Sequence, residues 1–142
     1  MSDRTGAFQE IEHTADRGIE LTAATLPDLF SLAGTALYKM IVDPSEIDPK
    51  NRIAVSVTGN GREELLHDWL CELLAEFNLK AFLGSQCEVT KVDPNQVKGW
   101  VKGETLDRKR HQLRTEIKGV TYHDLKVWEA HGTWHARIIF DV

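Results

Sequence analysis

Several things are scarce in this sequence, and each scarcity excludes a class of protein. No apolar run approaches the roughly 20 residues that a membrane-spanning helix needs. The opening Met1-Ser2-Asp3-Arg4-Thr5-Gly6 has no apolar stretch of the secretory kind, so no export signal is expected. There are only two cysteines, Cys71 and Cys87, far apart and outside any CxxC motif. That pattern argues against a disulfide framework, and a reducing cytoplasmic setting is expected. Basic residues are in deficit, with 17 Lys and Arg against 22 Asp and Glu and a net charge of −5. Free-standing nucleic-acid binders are ordinarily basic, so direct nucleic-acid binding is not expected from the total. No GxSxG elbow, Walker loop or HExxH motif occurs, and the six histidines show no zinc-finger spacing.

What remains is an ordinary globular composition. The 142 residues are 42% hydrophobic and include four Trp, five Phe and two Tyr, enough bulk to bury a core. One domain spanning 1–142 suits that length. The charge is uneven, however. Between Lys91 and Lys118 lie eight basic and four acidic residues, a local +4, which leaves −9 for the rest. This segment reads either as a solvated hairpin with Arg108-Lys109-Arg110 at its tip, or as a patch for phosphate or an acidic partner.

The periodicities predict an α+β fold: two helices packed on a mostly antiparallel sheet. Short strands are expected at 8–11 and 18–22. Thr25 caps a first helix, Pro27 suits its first turn, and its apolar positions run from Leu26 to Met40 at helical spacing. Residues 43–51 read as a loop and 52–58 as a strand. The second helix has the clearest pattern, with Leu65, Leu66, Trp69, Leu70, Leu73, Leu74 and Phe77 forming one wide stripe. Cys71 falls beside that stripe as a packing position. Strands are then predicted at about 86–92, 96–103, 112–118, 120–128 and 133–140, with turns at 93–95 and 107–110. The alternation in 120–128 changes parity, which calls for a bulge near His123-Asp124.

Three constellations can carry chemistry. In the His13-Thr14-Ala15-Asp16 turn, the His and Asp can face one point, or the Asp can simply bond neighbouring backbone N–H groups. At the C-terminus, Asp141 and the Val142 carboxylate put two anionic groups on adjacent residues. They form a hard-oxygen pair for a divalent cation if docked, and a solvated end if not. A third carboxylate such as Asp16 beside them would favour the cation, because three unpaired anions repel. Beside the expected bend, Lys118 and His123 either form ordinary pairs or line a polar site.

Taken together, the motifs resemble the archease family over nearly the whole chain. The marks are Glu12-His13-Thr14-Ala15-Asp16 with Gly18, Leu65-Leu66 followed by Trp69-Leu70 and Glu72-Leu73, Gly103-Glu104, Glu116-Ile117-Lys118 with Val120-Thr121-Tyr122-His123, and Phe140-Asp141-Val142. Gly119 departs from the family pattern, which has Ala there. The resemblance implies a strand-helix-strand-strand unit with a second such unit inserted. It implies a protein cofactor, not an enzyme, that activates the RtcB-type tRNA-splicing RNA ligase in tRNA splicing and RNA repair. The cofactor promotes guanylylation and multiple turnover of that ligase. A divalent metal ion, calcium or else magnesium or manganese, would be held by Asp16, Asp141 and the Val142 carboxylate. His13, Lys118, His123 and Glu104 would lie near the partner or its nucleotide. RNA would be reached only through the ligase, and no membrane is involved. The alternatives are a metal-dependent phosphoester hydrolase and a chaperone for RNA-modifying enzymes.

Overall fold

A computed structural model describes residues 6–12 and 16–142. Strands β1 (Gly6–Glu12) and β2 (Asp16–Ala23) precede helix α1 (Leu26–Ile41). Strand β3 (Asn51–Thr58), helix α2 (Arg62–Lys80), and strands β4 (Phe82–Asp93) and β5 (Gln96–Thr105) follow. Strands β6 (Gly119–Ala130) and β7 (Thr133–Asp141) complete the described chain. The strands form two antiparallel sheets, β1-β2-β7-β6 and β3-β5-β4. The β3-α2-β4-β5 unit is thus inserted between α1 and the β6-β7 hairpin; it has the strand-helix-strand-strand order, which β2-α1-β6-β7 of the outer unit repeats, with β1 added in front as a fourth strand.

Local chemistry explains the helix ends. Thr25 has extended backbone, and its hydroxyl accepts a hydrogen bond from the Asp28 N–H at 3.2 Å; Pro27 lies in the first turn, where it removes no helical bond. Helix α2 is capped by Gly61 before its first residue and by Ala81 after its last, and Ala81 takes the left-handed conformation with its N–H bonded back to the last turn. The expected stripe of α2 is its buried face, and Trp69 is fully enclosed.

The helices pack closely because small residues allow it. A Cβ at Gly34 of α1 would meet the Cys87 Sγ and the Leu73 Cδ1, each at 2.8 Å, so glycine lets α1 sit against both β4 and α2. At Gly84 of β4 the Tyr38 ring fills the space a side chain would take. Polar groups that this packing buries are paired: the Tyr38 hydroxyl donates to the Leu73 carbonyl at 2.9 Å, and the Trp69 Nε1–H to the Phe30 carbonyl at 3.0 Å. Strand β4 shifts register between Val89 and Lys91, and the Ser31 hydroxyl of α1 accepts the Val89 N–H at 2.8 Å.

Strand β6 is an edge strand, and α2 covers part of it. Glu63 accepts the Val127 N–H and His67 Nε2 contacts the Val120 carbonyl, both at 2.9 Å. Glu63 therefore closes a sheet edge instead of facing water. Between those points the β6–β7 register shifts from Thr121 to Lys126, and Asp124 adopts φ +54°. The parity change in the sequence is this bulge.

One expected element is absent. Residues 112–118 do not form a strand against β5, because β5 is central and both its edges are taken by β3 and β4. They run instead as an extended strap. Its backbone groups bond elsewhere: Gln112 N–H to Glu46, Arg114 N–H to the Ile41 carbonyl, and a bridge joins Leu113 to Val42. The 107–110 turn thus leads into the strap, not into a second hairpin strand.

Candidate functional site

The register of the first sheet brings the carboxylates together. Strands β2 and β7 are antiparallel neighbours, with Asp16 directly opposite Asp141. On its other side Asp141 is opposite Gly119 of β6. Residues directly opposite in an antiparallel pair hold their side chains on the same face, with Cβ atoms about 5 Å apart. Like charges placed there destabilise the sheet unless something neutralises them. The chain end is fixed as well. The Lys118 N–H donates to the Asp141 carbonyl at 2.7 Å, and Val142 packs partly buried against the core.

Lys118 thus meets β7 through its backbone while its side chain is exposed. His123 lies in the exposed β6 bulge, where its N–H donates to the Thr121 hydroxyl and its Nε2 is 3.4 Å from Asp124. His13 lies outside the described residues. Among the described residues, no three His, Cys, Asp or Glu side chains converge on one point. Any cation here would take Asp16 and Asp141 with a terminal carboxylate as the third anion.

Glu104 belongs to the other sheet, near the end of β5. It is 1% exposed and surrounded by donors. The Arg110 guanidinium engages both its oxygens, Nη1 reaching Oε2 at 3.2 Å. The Asp48 N–H donates to Oε2 at 2.7 Å, and Lys50 Nζ is 3.9 Å from Oε1. His111 is buried, and its Nδ1 accepts the Asp107 N–H at 2.8 Å. Nε2 must then be the protonated nitrogen of the neutral ring, and it donates to Glu104 Oε2 at 2.9 Å. The Arg110 hydrogen bonds, followed by those from Asp48 and His111, outweigh burial and hold the Glu104 pKa down to about 2. Arg110 is therefore a partner of Glu104, not a free cation at a hairpin tip. The sequence signal was Glu104 followed six and seven residues later by Arg and His, but burial of the carboxylate is not visible in that spacing.

Cys71 is half-buried, with its sulfur 3.7 Å from His67 Nδ1. Burial, followed by the nearby Asp68 charge, pushes its thiol pKa up, so it is not an activated nucleophile. The His67 ring stacks on Tyr122, with centroids 3.9 Å apart.

Known proteins share this architecture. The Archease protein family model matches residues 8–142. The protein archease of Methanopyrus kandleri is 36% identical over 138 residues, which cover 95% of this chain and 99% of that protein. The archease of Sulfurisphaera tokodaii is 33% identical over 84% of this chain and 87% of its own length. Among solved structures, protein 1598 of Methanobacterium thermoautotrophicum superposes with a TM-score of 0.80 at 27% identity, covering 95% of this chain and 98% of that one. A structure from Thermotoga maritima described as an archease, possible chaperone, shares the fold with a TM-score of 0.67 at 21% identity, over 94% of this chain and 96% of its own. With its inserted strand-helix-strand-strand unit and a family match running from β1 to the last residue, this chain belongs to the archease family.

Proposed function

We propose that this protein is the accessory factor of a tRNA-splicing RNA ligase, promoting ligase guanylylation and repeated turnover with the help of a bound divalent cation. The observation that carries the reading is the direct Asp16–Asp141 opposition beside a docked chain end. Two carboxylates held face to face, with the Val142 carboxylate as a third anion, make an all-oxygen donor set suited to calcium, magnesium or manganese. When bound, such an ion neutralises the carboxylates and offers positions to phosphate oxygens. The protein's own contribution is placement. The β2–β7 ladder sets the Asp16–Asp141 spacing, and the Lys118 N–H holds the Asp141 backbone from the other side. Lys118 presents an exposed ammonium at that same sheet end, where an anionic nucleotide or ligase surface would approach.

Two other readings lack a supporting observation. A hydrolase would need a base beside the carboxylates, whereas His123, with Asp124 3.4 Å from its Nε2, lies in the β6 bulge beyond the Thr121–Ile139 pair and not next to Asp141. The possible chaperone role attached to the Thermotoga maritima protein would call for a broad apolar surface. Here the large exposed apolar residues among those described are Leu79, Leu113 and Tyr122, on three different elements.

The test is RNA joining and guanylylation by the host's ligase, with and without this protein. Stimulation that is lost on chelation and in Asp16→Ala is expected. An unchanged rate on adding the wild-type protein would overturn the proposal. Lys118→Ala should lower the guanylylation plateau even at saturating protein, whereas an Arg108→Ala/Lys109→Ala variant should reach the wild-type plateau with slower association.

A further inference from the structure

The outer face of the three-stranded sheet breaks a rule of sheet construction. Like charges directly opposite one another destabilise an antiparallel pair, yet two such pairs occur on this face. Arg52 of β3 is opposite Lys102 of β5, and Lys98 of β5 is opposite Lys91 of β4. Between them on the central strand lies Trp100, half-buried, with the Arg52 guanidinium 5.0 Å and the Lys102 ammonium 5.2 Å from its ring centroid. Strand alternation places residues 98, 100 and 102 on one face, while Val97 and Val101 enter the core. The four cations are opposed by Glu88, in register with Trp100, and by Asp93, which is 3.5 Å from Lys91. Among the described residues, Arg52, Lys98 and Lys102 form no ion pair.

An open sheet with an aromatic ring on its middle strand and cations on both sides is a platform for an unpaired base and its phosphates. Cation–π contacts at exposed positions are weak, so Arg52 and Lys102 can yield the ring to a base and turn to the backbone it carries. Phosphates bridging each cation pair would also remove the repulsion. We propose that this face binds single-stranded nucleic acid directly, with a base on Trp100 and phosphates between the paired cations. The acidic total charge of the chain hides the site, because the cations gather only when β3, β4 and β5 align. The proposal goes beyond the accessory role above, in which RNA is met only through the ligase, and it is tested without the ligase.

The experiment is fluorescence anisotropy of a labelled oligouridylate about 12 nucleotides long, titrated with the protein alone at several salt concentrations. Binding should weaken with salt, with a log–log slope of about −3 if all four cations engage phosphate, at ~0.7 per contact. Trp100→Ala should weaken binding about tenfold while Trp100→Phe retains it. Lys98→Gln should flatten the slope by about 0.7 and leave the melting temperature unchanged or higher, because it removes a repulsion. A purely structural Lys98 would instead lower the melting temperature and leave the slope alone. The proposal is overturned by absence of binding at low salt, by equal affinity for duplex RNA, or by a Trp100→Ala variant that binds like wild type. It is equally overturned if polyglutamate competes as well as RNA, since the face would then suit an acidic protein.

Discussion

Glu104 offers the sharpest test of the electrostatics. Its carboxyl titrates near 4.5 in an unfolded chain and at about 2 in the folded protein, held down by Arg110 first and then by Asp48 and His111. A depressed carboxylate contributes stability that is fully present above the unfolded value and is lost as pH falls through the folded one. The full shift corresponds to about 3 kcal/mol. Arg110 is 47% exposed, so solvent screens the pair and a contribution of about 2 kcal/mol is the better expectation. Glu104→Gln keeps the shape and removes the charge. At pH 7 it should therefore unfold in urea about 2 kcal/mol more easily, a drop in Tm of roughly 4–8 °C for a chain of this size. Linkage also fixes how the gap closes: about 40% of it should remain at pH 3, and almost none below pH 2. The assay is urea unfolding of both proteins followed by circular dichroism at pH 7, 5 and 3. A difference that stays constant from pH 7 to pH 3 would refute the reasoning, since it would come from shape or packing and not from charge.

Three further outcomes are expected. Asp16→Asn should raise the Tm in chelator by about 1–3 °C, by relieving the repulsion with Asp141, and should abolish the calcium-induced rise; calorimetric calcium titration checks the second half. A short extension after Val142 should reduce calcium affinity and ligase stimulation, whereas an extension before Met1 should leave both intact; equal activity of the two forms would remove the terminal carboxylate from the ligand set. Ser31→Ala strands the buried Val89 N–H and should cost about 1–3 kcal/mol in urea unfolding, with no effect on calcium binding.

The sequence displayed whatever depends on a single element. The α2 stripe from Leu65 to Phe77 is periodic, so its buried face was readable, and so were the Thr25 cap and the bulge near His123-Asp124. What depends on neighbours was not readable. Residues 112–118 look like a strand, but strand formation needs a free edge, and β5 has none. Arg110 looks like a solvated tip because its partner Glu104 is enclosed only when β5, the segment around Asp48 and the turn carrying Arg110 and His111 meet. The placement of Asp16 beside Asp141 came from family resemblance, since neither residue's surroundings specify the β2–β7 pairing. The cation face around Trp100 escaped for the same reason, as register belongs to the sheet and not to any one strand.

The inserted topology also orders events in time. The β3-α2-β4-β5 unit is built from contacts close in sequence, whereas β2 finds β7 only after the whole intervening chain has been gathered in. Closing a long loop costs entropy before any contact rewards it, so distant strand pairs form late. Once the inserted unit has condensed, it shortens the effective tether between β2 and β7. The Asp16–Asp141 pair is then expected among the last features to appear on refolding and the first to open under denaturant. A cation bound there would act as a latch on the completed chain, and calcium should slow unfolding far more than it speeds folding.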